Sequence, residues 1–231
     1  MVLPATVSVP LVVKLEDSAY RPPQFVMGGN DAVVVPDGVC APSYVQLRLA
    51  PLAAFTVLGV PIRHLHGDAV DLADLLGPTG RRVADQLREA GTWSERFALL
   101  DDFLLRRLSE GPRPAREVGR AWHRLVSTDG AAPIGSIARE VGWSHKHLIS
   151  RFREQIGVTP KTAASIVRFE AVLRRIELGS SEGGRKVHWG DLAAMGGYFD
   201  QAHLIRDFRR FTGGTPRQFV ALASGTERAA C

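Results

Sequence analysis

One internal duplication restricts the fold more than any other feature of the chain. Residues 137–160 and 192–216 carry the same residue types in the same order. Ile137-Ala138 aligns with Leu192-Ala193, and Gly142-Trp143 with Gly197-Tyr198. After one inserted residue, Leu148-Ile149 aligns with Leu204-Ile205, and Phe152-Arg153 with Phe208-Arg209. Gly157 and Thr159-Pro160 then answer to Gly213 and Thr215-Pro216. Each copy reads as a short helix, a glycine turn and a second helix that ends at glycine. Two copies are too few for a solenoid, which needs about three or more.

The residue types have physical reasons. Ala138 and Ala193 let two helices cross closely, while Gly142 and Gly197 supply the positive φ of a tight turn. Trp143 and Tyr198 can plug the core below that turn. Leu148 with Phe152, and Leu204 with Phe208, are i,i+4 pairs that anchor the second helix. The opposite face is left basic or polar. It carries His145, Lys146, Ser150, Arg151 and Arg153 in the first copy, and Gln201, His203, Arg206, Arg209 and Arg210 in the second. Such a unit has the geometry that reads a major groove. Two of them joined by one rigid helix can enter successive grooves about 34 Å apart.

Charge is distributed to match. The 231 residues carry a net +5, but residues 115–219 hold 17 Lys and Arg against 10 Asp and Glu. The remainder holds 12 against 14, so a basic part is joined to a slightly acidic one. This points to a polyanion as the partner of the basic part alone. The two cysteines, Cys40 and Cys231, exclude a disulfide-framework protein. No membrane span is expected, because the most apolar stretch, residues 47–62, is broken by Arg48, Pro51, Gly59 and Pro61. Residues 1–13 lack a basic leader and contain Pro4 and Pro10, so no signal peptide is read and a cytoplasmic protein is expected.

The periodicities predict a mainly α chain. Extended segments are expected at 7–15, 32–35 and 44–49, then helices at 51–58, 72–76 behind Asp71, 81–90 ending at Gly91, and 95–108 capped by Ser94. Ser109-Glu110-Gly111-Pro112-Arg113-Pro114 reads as a linker. Beyond it, helices are expected at 116–126, 134–141, 145–156, 161–178, 189–195, 201–211 and 218–222, with a polar loop at 179–186. Val118, Trp122, Leu125 and Val126 share one face of the first of these. The organisation is an N-terminal α+β domain with a few strands (1–108), a linker (109–114), an all-α bipartite helix-turn-helix domain (115–222) and a tail (223–231).

The carrying stretches in the first copy are Ile137-Ala138-Arg139-Glu140-Val141-Gly142-Trp143-Ser144, Leu148-Ile149-Ser150-Arg151-Phe152-Arg153 and Gly157-Val158-Thr159-Pro160-Lys161, followed by Arg168-Phe169. In the second they are Leu192-Ala193, Gly197-Tyr198-Phe199-Asp200-Gln201-Ala202-His203-Leu204 and the run from Phe208-Arg209-Arg210-Phe211 to Thr215-Pro216. Through them residues 116–221 resemble the DNA-binding domain of AraC/XylS-type transcription regulators. The resemblance implies two recognition helices. Base-reading positions would fall on Lys146, Ile149 and Ser150 in the first copy, and on Gln201, Ala202, His203 and Arg206 in the second. Arg206 suits bidentate bonding to guanine O6 and N7, and Gln201 suits adenine. Arg151, Arg153, Arg209 and Arg210 would hold phosphates, which position without specifying. Ile149 stands where the family often has a polar residue, so it either meets a thymine methyl or packs.

Residues 44–108 resemble the effector-domain helices of a group of these regulators, through Gln46-Leu47-Arg48-Leu49-Ala50-Pro51-Leu52, Leu58-Gly59-Val60-Pro61 and Asp71-Leu72-Ala73-Asp74-Leu75-Leu76-Gly77. The family usually senses through an N-terminal β-barrel. Fewer than fifty residues precede the match here, so the β part reads as short or incomplete. The implied partners are double-stranded DNA, RNA polymerase, a second copy of the chain and a small-molecule effector, whose binding residues the sequence does not identify.

No cofactor, metal or catalytic residue is expected. His64 and His66 lie beside Asp68 and Asp71, but without a third His or a Cys the group reads as a solvated turn. Pro36-Asp37-Gly38 reads as a turn, Cys40 as a small core residue, and Gly28-Gly29-Asn30 lacks the Lys-Ser/Thr of a phosphate loop. Two other classes fit less well. One is a small-molecule-binding or enzymatic domain whose basic helices dock an acidic protein. The other is a nonspecific architectural DNA protein.

Overall fold

β-Branched and leucine side chains make β1 (Val9–Lys14) an inner strand of an antiparallel sheet. The order is β3 (Tyr44–Leu49), β1, β2 (Gln24–Met27), β4 (Ala69–Asp71). Leu11 faces Leu47 on one side and Val26 on the other. Val9, Leu11 and Val13 therefore fall on one face, as the period of two requires. That face buries against Val57 of α1 (Pro51–Leu58), Ile62 of a 3-10 turn (Ile62–Leu65), Leu87 of α3 (Pro78–Glu89) and Leu100 of α4 (Trp93–Glu110). The computed structural model describes residues 5–16, 22–30, 32, 43–65, 69–181 and 188–223. Residues 33–35 of the expected second extended segment lie outside these, as do Pro36-Asp37-Gly38, Cys40, His66, Asp68, residues 182–186 of the polar loop and residues 224–231 of the tail.

Helix ends follow local chemistry, with corrections. Asp71 caps α2 (Leu72–Leu76) by accepting from the Ala73 N–H at 2.7 Å. α3 starts at Pro78 rather than at 81, because proline is already set for the first helical position. It ends through an extended Ala90, so Gly91 is not a left-handed terminator. Thr92, not Ser94, caps α4. Its hydroxyl accepts the Glu95 N–H at 3.2 Å, while Glu95 Oε2 accepts the Thr92 N–H at 3.0 Å. α4 continues through Glu110, into the expected linker.

Seven helices follow among the described residues: α5 (Arg116–Ser127), α6 (Ile134–Glu140), α7 (His145–Ile156), α8 (Pro160–Ser181), α9 (Trp189–Met195), α10 (Gln201–Thr212) and α11 (Pro216–Ala223). α8 runs through Ser181, past the point where the polar loop was expected to begin. One core joins both copies. Leu148 and Phe152 of α7, and Leu204, Phe208 and Phe211 of α10, meet Ile166 and Phe169 of α8, all fully buried. Phe169 lies 4.7 Å from Phe208 and 5.1 Å from Phe211, ring centre to ring centre. On α5 the buried residues are Val118, Ala121 and Leu125, while Val126 is exposed. A step of one residue turns a helix about 100°, so Leu125 and Val126 cannot both face in.

The N-terminal part closes onto this core at both units. Ala5 and Val7 are buried in it, and the Ala5 N–H donates to the Phe211 carbonyl at 2.7 Å. Ile62 lies against Gly157 at the end of α7, and Arg63 reaches Glu154 at 3.9 Å.

Candidate DNA-binding face

The two turns are built alike. Gly142 and Gly197 hold φ of +73° and +69°. Ser144 accepts the His147 N–H at 3.2 Å, and Asp200 accepts the His203 N–H at 2.6 Å. Each side chain satisfies one of the orphan donors at its helix start. α7 and α10 therefore begin at defined residues with their N-terminal turns in solvent. Their C-terminal ends are fastened, α7 by the 3-10 turn and α10 by the Ala5 segment. A recognition helix needs this polarity, because its N-terminal residues meet the base edges.

Lys146, Ser150, Arg153, Gln201, Ala202, Arg206, Arg209 and Arg210 are exposed. Ile149, Arg151 and His203 are half-buried. Arg151 pairs with Glu154 at 2.7 Å, so it must exchange that partner to hold a phosphate. The His203 ring stands edge-on to Tyr198 at 5.1 Å, which places part of the imidazole against the protein rather than the solvent. Met195 and Phe199 extend the exposed surface beside α10. Phe199 is 93% exposed and is the residue inserted in the second copy. His147 joins the first face, edge-on to Trp143 at 4.5 Å.

A buried polar group underlies α10 and has no counterpart in the first copy, where Trp143 takes the turn. Tyr198 and Asp207 lie close together beneath Arg168 of α8, whose guanidinium carbon is 5.8 Å from the Tyr198 ring centre. The Tyr198 hydroxyl is buried and makes no hydrogen bond of full geometry among the described residues. Burial, with the Asp207 charge, pushes its phenol far above the ordinary tyrosine range, and Arg168 acts against the shift. Burial also raises Asp207 above its ordinary 3.8, opposed by His203, the Tyr198 hydroxyl, Arg210 and Arg168. Spacing alone does not reveal this group, because its members come from three elements.

Of the other candidates, one has a structural role. Asp71 is committed to the α2 cap and to Gln24, whose Nε2 donates to it at 3.0 Å. No helix among the described residues is long and apolar enough to cross a membrane.

A family model described as a helix-turn-helix domain matches residues 137–221. Two crystal structures of ToxT are similar in shape. That of ToxT from Vibrio cholerae O395 is 10% identical, covers 94% of this chain and 86% of its own, and gives a TM-score of 0.43. A P21 form from Vibrio cholerae is 10% identical, covers 95% and 88%, and gives 0.42. No curated protein matches the chain.

Proposed function

We propose that the chain is a sequence-specific DNA-binding transcription regulator of the AraC type, whose two helix-turn-helix units, within the residues 137–221 that the family model matches, enter successive major grooves. The observation that carries the reading is the pairing of two glycine-turn units with exposed basic helix starts on one shared core. In this reading Arg206 and Gln201 read bases, with Lys146, Ile149, Ser150, Ala202 and His203 lining the grooves. Arg153, Arg209 and Arg210 hold phosphates, joined by Arg151 once it leaves Glu154. The protein acts in the cytoplasm and without catalysis.

The N-terminal part is proposed to dimerise. Trp93, Phe97 and Leu108 of α4 are 50%, 57% and 47% exposed, and their positions fall within one narrow stripe beside the buried Leu100. Such a stripe is matched by its own copy in an antiparallel pair. An effector and RNA polymerase remain partners of the reading, with no residues assigned.

A gel shift on random-sequence duplex across a salt series tests the core of this proposal. Binding at low salt that falls steeply with added salt is expected, because released counterions drive phosphate contacts. No binding at low salt favours the acidic-protein partner. Binding without any preferred site favours the architectural class. Sedimentation at increasing concentration tests the dimer, and a monomer throughout contradicts it.

A further inference from the structure

One polar side chain, Arg168, midway along α8, touches both reading units. Its Nη2 donates to the Gly130 carbonyl at 2.9 Å, in the loop between α5 and α6 of the first unit. Its guanidinium lies over Tyr198 in the turn of the second unit, and its Nε is 3.9 Å from the place a Cβ on Gly197 would take. Both points of attachment are firm. Gly130 has φ +73°, and a Cβ there would collide with the Ala164 carbonyl oxygen, so the loop lies directly on the α8 backbone. Its neighbour Asp129 is paired with Arg174 at 3.2 Å and Arg175 at 3.3 Å. Tyr198 is buried, with Asp207 attracting the same guanidinium.

Arg168 is poorly placed for stability alone. Its Nε is buried and meets no acceptor among the described residues. A buried unpaired donor costs free energy that an apolar side chain of similar length would not. Its partners instead suit orientation. The Phe169 contacts with Phe208 and Phe211 also join α8 to the second unit, but neither of these contacts touches the first. A hydrogen bond to one unit and a cation–ring contact to the other tie the two to one side chain.

We infer that Arg168 is the positioning residue that sets the spacing of the two reading helices, and with it the spacer length of the preferred DNA site. This rests on the proposed reading of DNA by both units. One base pair advances the duplex about 3.4 Å and turns it by about a tenth of a turn. A rigid pair of units that fits one spacer therefore misplaces its bidentate side chains on the next.

The test uses the full chain and duplexes carrying the selected half-sites at the best spacer, and at one base pair shorter and longer. The unsubstituted protein loses about tenfold or more in affinity off the best spacer. Arg168→Met reduces that loss to less than about threefold, while single-base changes within either half-site keep their effect. Tyr198→Leu, which removes the ring but keeps the guanidinium, gives the same flattening. If Arg168→Met shows no cooperative melt, Tyr198→Leu decides alone. An equal loss at every spacer, with spacer dependence intact, overturns the inference and leaves Arg168 a structural residue. Unchanged binding in both variants overturns it as well. Failure of the unsubstituted chain to bind any duplex at low salt overturns the underlying reading, and this inference with it.

Discussion

The first reading helix shows solvent Lys146, Ser150 and Arg153, with Ile149 half-buried between them and Arg151 tied to Glu154. The second shows Gln201, Ala202, Arg206, Arg209 and Arg210, and among the described residues Arg206 makes no ion pair. The same backbone unit thus carries two different surfaces. The first is wedged against the N-terminal part through Ile62 and Arg63, while the second is steadied from below by Tyr198, Asp207 and Arg168. Under the proposed reading this difference corresponds to a division of labour, in which the first unit holds the duplex and the second carries most of the sequence information.

The largest effects test whether the copies are separable at all. Phe152→Ala and Phe208→Ala remove buried rings from the shared core, and each is expected to cost about 3–5 kcal/mol. Because α8 joins both sides, each variant should melt in a single transition at lower temperature. Calorimetry showing two transitions, with only one displaced, would break the shared-core description.

Next comes the sharpest contrast between the two surfaces. Arg206→Ala is expected to lower affinity for the selected site by about 1–3 kcal/mol and to relax preference at one base pair. Ser150→Ala on the first helix should change preference far less. Equal losses on every sequence for Arg206→Ala would remove its base-reading role.

Phosphate contacts should then look alike in the two copies. Arg153→Ala and Arg209→Ala are each expected to weaken binding uniformly and to reduce the salt slope by about one unit. Titrations in which either variant keeps the full slope would contradict the assignment.

The smallest effect concerns pH. Asp207 holds its proton more tightly in the folded protein than its ordinary 3.8, so its charged form weakens the fold. Lowering pH from neutral through that raised value therefore relieves the penalty in the native protein. Asp207→Asn carries no such penalty at any pH. The stability of the native protein relative to the variant should accordingly improve as pH falls. Glu170 is shifted in the same direction, chiefly by burial, but it is common to both proteins and cancels in the difference. A constant gap in melting temperature would show that Asp207 does not titrate in this window.

Much of this was legible in residue order. Alanine, glycine and the i,i+4 leucine–phenylalanine pairs define each unit locally, and Ala138, Ala193, Leu148 and Phe208 are all buried where the pattern puts them. Less local features were harder to read. Ser94 and Thr92 both suit a cap, and only the reciprocal bond to Glu95 separates them. Val126 sits beside the apolar stripe of α5 in sequence but turns out of it in space. The Arg168, Tyr198 and Asp207 group spans elements whose packing no spacing encodes. The Ala5 and Ile62 contacts with α10 and α7 join residues far apart in the chain, and they decide which ends of the reading helices stay open.

The central claim is that both units read one duplex, the second more selectively than the first. Selection of bound sites from a random DNA pool measures this directly. The account predicts a bipartite site, its two patches centred about 10–10.5 base pairs apart. The patch lost on Arg206→Ala should carry the stronger base preference. A single short patch, or enrichment with no preferred sequence, would contradict it.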